Sequence, residues 1–452
     1  TAVMKKLILA TLAIVLLVGA ALALGWRQLQ DATEVAVGYS AKQLCSGVFV
    51  AGLPEKFVID TDIYPRMAIL GPALPFLQLQ VDAAANTASA SLLMSRAVAT
   101  VSGDRGCVLN ALREAPAAYA PETEADVQPV TGGPLLEAAL DAAFAEPEGA
   151  GRNTLAVIVS RGGDILAERY RTPVTAGTPL QGWSMNKSLI TTWVGMQVAK
   201  GRLNLALPVR QALSGYGAPP ELLAQVDAGL TLGHLLQMES GFDFEEDYSP
   251  GHDATRMLYR SPAKWRVAPA TGHRHAPGSH FSYSSGDTNL AAYLWQKSLD
   301  GEPYPRWLAR EFAGPLGLMA MVAEPDASGV QVGSSYAYMT ARDWLRVGQF
   351  WLDAWHDRGS LLPPGWQQES TRPRPSDDLG RYGRGFWLNT GGVAFPGLPD
   401  ELFYASGNAG QAVVVLPQQE LVVVRLGLTA TDVTAGLHQL LLDIVSAEAG
   451  DD

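Results

Sequence analysis

Nineteen consecutive residues carry no charge, from Leu7 to Gly25, and no other segment constrains the chain as strongly. At a helical rise of about 1.5 Å per residue the run spans ~28 Å, one hydrocarbon core. It is apolar on every face, unlike a surface helix of a globular domain. Lys5 and Lys6 precede it, and Trp26 and Arg27 close it. These flanks predict an N-terminal membrane anchor over residues 1–30, with the lysines in the cytoplasm and Trp26 at the far interface. Met4 reads as the initiator. Ala21-Leu22-Ala23 also fits a signal-peptidase site, so a cleaved signal segment is the alternative. The run exceeds the usual length of a signal core, which favours the anchor. Either reading exports residues 31–452. The chain would be held at the inner membrane with its bulk in the periplasm, or secreted after cleavage.

Export decides how the two cysteines, Cys45 and Cys107, are read. In an oxidising compartment a lone pair forms a disulfide. Closing the 61-residue loop between them contributes ~4 kcal/mol in the chain-entropy model. Two cysteines are too few for a zinc ribbon or an iron–sulfur site. A net charge of −12 excludes the basic face that a nucleic-acid partner requires.

Residues 31–130 form an N-terminal extension with strand-like runs at Val48 to Ala51 and Leu77 to Val81. It ends in a polar, Pro-rich stretch, Ala115 to Pro134, that reads as a linker. Residues 131–452 form the main domain. A short helix is expected over 135–146, with Leu136, Leu140 and Phe144 on one side. Thr154 to Ser160 and Asp164 to Tyr170 flank Arg161-Gly162-Gly163, a β-hairpin pattern. Helices are expected over Ser188 to Lys200, Leu232 to Met238, 341–357 and 432–448. Two further strands, Gln411 to Pro417 and Leu421 to Leu426, lie near the end. Strands at both ends with helices between them predict an α+β sheet domain carrying a helical subdomain.

Ser184-Met185-Asn186-Lys187 stands just before the helix pattern at 188–200. On a helix, residues three apart share a face. A serine hydroxyl needs an adjacent base to act as a nucleophile. A lysine can serve only if burial, the helix dipole or a neighbouring cation lowers its pKa. The same helix terminus offers backbone N–H groups to an oxyanion. By itself the S-x-x-K spacing is weak, and Ser261-Pro262-Ala263-Lys264 repeats it. There Pro262 reads as the first helical residue and Ser261 as its cap. Tyr283 and Ser285 stand in a polar turn, Pro277 to Asn289. A tyrosine beside a Ser–Lys pair can shuttle protons, and Ser285 can bond the lysine or the substrate.

The hairpin, Ser184-x-x-Lys187, Leu232 to Gly241, Pro277-Gly278-x-x-Phe281-x-Tyr283-x-Ser285 and Gly314-Pro315-Leu316-Gly317-Leu318 occur in this order. The set resembles the serine β-lactamase/penicillin-binding superfamily over residues 135–448, nearest its class C-like branch. Phe281 to Asn289, Gly333-Ser334-Ser335-Tyr336 and Ala341-Arg342-Asp343 lean towards the 6-aminohexanoate-dimer hydrolases and esterases of that branch. The resemblance implies the β-lactamase/transpeptidase-like fold, an antiparallel sheet flanked by helices. It implies Ser184 as acylated nucleophile, Lys187 as its base partner and Tyr283 as the second proton-transfer residue. Ser285 would be the third position of the tyrosine box. The family's third motif, a Lys or His followed by Thr-Gly, best matches Ala405-Ser406-Gly407. It implies an oxyanion hole from the N–H of Ser184 and one near Asn408. Ser406, Gly407 and Asn408 are therefore candidate substrate and oxyanion residues.

Ala405 replaces the cation that binds the carboxylate of penicillins and D-Ala-D-Ala peptides. That favours a linear amide or ester as the small-molecule substrate. A β-lactamase or D-alanyl-D-alanine carboxypeptidase is the alternative, and a non-catalytic ligand-binding module on the same fold is another. Arg381 or Arg384 would be the arginines to replace the missing cation. His273, Arg274, His275 and His280 crowd one loop, but no carboxylate stands there at ligand spacing, and neither a metal nor a cofactor is expected. Asp243, Glu245, Glu246, Asp247 and Asp253 read as a solvated acidic loop beside the cleft. Trp183, Trp265 and Tyr382 are candidates to wall an apolar substrate pocket.

Overall fold

The computed structural model describes residues 25–111, 127–149, 151–359, 361–430, 432 and 434–450. The apolar run therefore lies outside the described residues apart from Gly25, and most of the expected linker lies outside them too. Among the described residues no helix is long and apolar enough to cross a membrane.

Helix α1 covers residues 25–45 and continues as a π-helical turn, Ser46–Val50. The strand expected at Val48 to Ala51 is thus not formed. Val50 and Ala51 are buried in the core, and a run of β-branched residues satisfies burial in a helix as well as in a strand. A four-stranded antiparallel sheet follows, β1 (Gln78–Asp82), β2 (Thr87–Leu92), β3 (Ser95–Val101) and β4 (Cys107–Leu109). Cys45 at the end of α1 and Cys107 on β4 form a disulfide with their Cα atoms 6.1 Å apart, inside the usual range.

The second layer system is built from α2 (Pro134–Phe144), β5 (Thr154–Arg161), β6 (Asp164–Tyr170), β7 (Leu180–Gln181), α3 (Asn186–Ala199), α4 (Ser285–Lys297), β8 (Val322–Ala323), β9 (Ala337–Met339), α5 (Ala341–Trp355), β10 (Trp387–Leu388), β11 (Phe403–Gly407), β12 (Gln411–Leu416), β13 (Leu421–Gly427) and α6 (Leu437–Gly450). Six strands pair in the order β10-β11-β12-β13-β5-β6, all antiparallel. The hairpin and the two late strands meet as expected, with β13 beside β5.

Both faces of this sheet are covered, which explains strands that read as unbroken apolar runs. Val157, Val159, Val414 and Val423 pack with α2 and α6 on one face. Ile158, Val413, Val415, Val422 and Val424 face the other core with α5. The alternation is the period-two side-chain pattern of a strand. At Gly348 of α5 a Cβ would stand 2.5 Å from Val422 Cγ1 and 2.8 Å from Val413 Cγ1. Glycine there lets the helix lie directly on the sheet.

The extension shares the larger core. Val35, Val37, Tyr39 and Leu44 of α1 sit in one buried cluster with Trp183 and Tyr259. Lys42, 1% exposed, forms an ion pair with fully buried Glu324. Glu324 also accepts from Ser46 Oγ at 2.9 Å and from the Cys107 N–H at 2.7 Å. Desolvation pulls the Lys42 pKa down, and Glu324 opposes it. A buried pair with its remaining valences filled fixes one geometry more than it stabilises.

Candidate active site

Ser184 sits in a turn forced by its neighbours. β7 pairs with β9, and the Gly182 N–H bonds Ala337 O at 2.9 Å. A Cβ on Gly182 would stand 2.2 Å from the Trp344 ring. Trp183 has φ +49°, left-handed backbone that costs an L residue about 1–2 kcal/mol. Its ring is clamped between Tyr39, stacked with centroids 6.4 Å apart, and Tyr336 at 6.4 Å edge-on. The strained residue directly precedes the expected nucleophile, a place where such strain collects. The chain then enters α3, buried from Asn186 to Gln197.

Lys187 is 2% exposed. Its Nζ donates to Ser184 Oγ at 3.0 Å, to Ser285 Oγ at 3.0 Å and to Ser334 O at 3.3 Å. It lies 4.8 Å from the centre of the Tyr283 ring. Burial lowers its pKa to about 8, against the opposing charge of Glu246. The amine is thus poised to exchange a proton with Ser184 near neutrality. Desolvation first, and Glu246 second, hold Tyr283 as a neutral phenol, although contacts to Ser184 and Trp387 favour its ionised form. Structure thus brings together Ser184, Lys187, Tyr283 and Ser285, four residues from two distant segments.

Ser285 opens α4. Ser284 caps that helix, its Oγ accepting from the Asp287 N–H at 3.0 Å. Asp287 is fully buried, and burial raises its carboxyl to about 7 against hydrogen bonds from Ser240 and Ser284. Glu246 accepts from the Ser285 N–H at 2.6 Å and from Ser285 Oγ at 2.5 Å. Tyr248 Oη donates to Glu246 at 2.7 Å. Glu246 is therefore not merely a solvated loop residue. It completes a chain of contacts, Glu246–Ser285–Lys187–Ser184, which sequence reading missed. Its only sequence signal was membership of the acidic loop.

Ser406, Gly407 and Asn408 line the same cavity as Ser184 and Tyr283, about 400 Å³ in volume. At Gly407 a Cβ would stand 2.1 Å from Gly182 O, so only glycine lets β11 close against the serine turn. Ala405 is 1% exposed and belongs to the core. Among the described residues no ionisable side chain of β11 lines the cavity.

Several expectations are corrected. Trp183, Trp265 and Tyr382 are buried, and none lines this cavity. Trp387 and Tyr248 do. Trp265 instead stacks on Tyr293 with ring centres 3.9 Å apart. Arg381 is held by Asp377 and Arg384 lies over Trp366, so neither reaches the cleft. Ser261 is not a helix cap, because its Oγ donates to Ala263 O at 3.1 Å. Lys264 is buried and donates to Met257 O and Ser261 O, both at 3.2 Å, so this second S-x-x-K is structural. His273 bonds the Asp227 N–H at 2.9 Å and packs on Phe242, while His275 and His280 pair with each other. Among the described residues no group of three or more His, Cys, Asp or Glu could hold a metal.

A family model described as beta-lactamase matches residues 140–438. The chain is 27% identical over 328 residues to a 6-aminohexanoate-dimer hydrolase from Paenarthrobacter ureafaciens, covering 65% of this chain and 78% of the relative. Two solved structures share the fold. EstCE1, described as a hydrolase with promiscuous acyltransferase activity, superposes with TM-score 0.54 at 17% identity over 69% of this chain and 98% of its own. A penicillin-binding protein homologue from Caulobacter crescentus gives 0.53 at 16% identity, over 70% and 99%.

Proposed function

From the premise that this chain belongs to the beta-lactamase family and is a serine hydrolase, we propose that it cleaves a linear amide or carboxylic ester through an acyl-enzyme on Ser184. The observation that carries the reading is Lys187 Nζ, desolvated and 3.0 Å from Ser184 Oγ, with its pKa brought to about 8. At pH 7 about a tenth of such an amine is neutral and able to take a proton. Ser184 Oγ attacks the carbonyl carbon as its proton passes to Lys187. The tetrahedral oxyanion is held by the N–H of Ser184 and one near Asn408. Tyr283 protonates the leaving amine or alcohol as the acyl–heteroatom bond breaks, and is reprotonated from Lys187. Water then attacks the ester carbonyl, returns a proton to Ser184 and releases the acid.

Ala405 supports a substrate without a carboxylate at the β11 position. The similarity to a 6-aminohexanoate-dimer hydrolase supports a linear amide. The Cys45–Cys107 disulfide supports an exported chain, and the uncharged run at 7–25 supports a tether to the inner membrane.

The test is fluorophosphonate labelling followed by a panel of p-nitrophenyl esters, nitrocefin and a short linear amide. Labelling at Ser184, with ester or amide kcat/KM above that of nitrocefin, is the expected outcome. Nitrocefin as the best substrate would move β-lactam hydrolysis to first place. Absence of labelling would leave a binding module on the same fold.

A further inference from the structure

The catalytic cavity has a wall that the matched family segment does not supply. Arg66, 74 residues before that segment begins, lines the cavity together with Ser184, Tyr283 and Asn408. Among the described residues lining it, Arg66 is the single cation. The side chain is 21% exposed and is held from behind, its Nε donating to Asp62 Oδ1 at 3.0 Å. Asp62 is itself 5% exposed and is fixed by Tyr39 Oη at 2.5 Å and Gln43 Nε2 at 3.1 Å. Gln43 also bonds Gln181 Oε1 at 2.9 Å, on the strand leading into the serine turn. The guanidinium is thus pinned to the same scaffold as Ser184. Its Nη2 is shielded from solvent and has no hydrogen-bond partner.

A pinned arginine whose side chain is part-exposed on the cavity wall is suited to a carboxylate, which its planar fork matches. The carboxylate that lines the same cavity, Asp432, already serves Arg152 and Thr434. We propose that Arg66 is a specificity-determining residue that binds a carboxylate carried on the substrate at a distance from the scissile carbonyl. The proposal rests on the hydrolase reading above and names its substrate class as an anionic linear amide or ester. Such a carboxylate would be held by the extension wall, rather than beside Ala405 on β11. The extension would then take part in substrate choice as well as in folding.

Two measurements test it. The first compares p-nitrophenyl half-esters of succinate, glutarate and adipate with the neutral p-nitrophenyl ester of matched length. Wild-type protein should favour at least one half-ester. In Arg66→Gln the charged-over-neutral ratio of kcat/KM should fall ten- to a hundred-fold, and Arg66→Lys should restore part of it. An unchanged ratio, or no half-ester preference at any length, overturns the proposal. A purely structural role would lower both rates together and leave the ratio alone. The second measurement removes the chemistry. In Ser184→Ala protein, monomethyl adipate should bind more tightly than dimethyl adipate by calorimetry, and adding Arg66→Gln should abolish the difference. Equal binding of the two esters, or none, overturns the Arg66 assignment, whereas intact monoester binding in a wild-type protein that turns over none of the esters would overturn only the hydrolase reading.

Discussion

Replacing Glu246 by Gln isolates the one charge that opposes the desolvation of Lys187. The contacts run from the Glu246 carboxylate to Ser285 Oγ at 2.5 Å and from Ser285 Oγ to Lys187 Nζ at 3.0 Å. The two charges therefore stand at most about 5.5 Å apart along that path. At ~5 Å and an effective dielectric of ~20, a unit pair is worth ~3 kcal/mol, and in water ~0.8 kcal/mol. One pKa unit corresponds to about 1.4 kcal/mol. Removing the negative charge should therefore lower the Lys187 pKa, from about 8, by roughly one to two units. The sign follows from the role. A base works when unprotonated, so activity falls as pH drops through the lysine pKa. In wild-type protein the acid limb of kcat/KM should lie near 8. At pH 6–7 only about 1–10% of the plateau should remain. In Glu246→Gln the limb should move to about 6–7, with about half the plateau retained there. Glutamine keeps an acceptor for the Ser285 N–H, so the shift reads charge rather than lost support. Glu245→Gln is the control, because that side chain is 54% exposed and turned to His252. A pH–rate series with a neutral ester would decide. An acid limb that stays in place or moves upward would refute the electrostatic role given to Glu246.

Ser184→Ala should abolish fluorophosphonate labelling and cut turnover by several orders of magnitude with the fold retained, whereas Ser261→Ala should lose one hydrogen bond, about 1 kcal/mol in denaturant melts, and keep its activity. Glu324→Ala should cost ~3–5 kcal/mol in the same melts, because Lys42 would be left buried without its partner. Non-reducing mass spectrometry of protein from an oxidising compartment should find Cys45 and Cys107 joined; two free thiols would sink the staple and weaken the argument for an exported topology.

Legibility in the sequence depended on how local each interaction is. The β5–β6 hairpin was readable because its turn and both strands fall within seventeen residues. Ser184 and Lys187 were readable because one helical turn sets their relation. Tyr283 and Ser285 needed the order of five motifs, since nothing local distinguishes them from a polar turn. Val48 to Ala51 misled because an apolar β-branched stretch records burial, not the backbone that buries it. Glu246 was hidden for a different reason. Its loop is exposed at Glu245, Asp247 and Tyr248, and only the fold turns one carboxylate inward onto Ser285, 39 positions away. The aromatic wall failed in the same way. Trp183 and Tyr382 stand next to the site in sequence or space but spend their rings on packing, and Trp387, from a two-residue strand, takes the position.

The extension illustrates how far such non-local effects reach. Trp183 holds a left-handed backbone immediately before the serine, and that conformation persists only where packing over-determines it. Part of the packing is Tyr39, stacked at 9° on the indole and tied through Asp62 to Arg66. Tyr39 belongs to α1, which is anchored six residues later by the disulfide to β4 and three residues later by the ion pair to Glu324. A chain cut back to residue 131 would lose Tyr39 and expose the indole. Nothing from the extension would then oppose the ~1–2 kcal/mol by which Trp183 prefers a right-handed or extended backbone. The serine turn would be freer to relax, and the 3.0 Å contact between Ser184 and Lys187 would be less well defined. The extension is thus structurally continuous with the active site, although the matched family segment starts at residue 140.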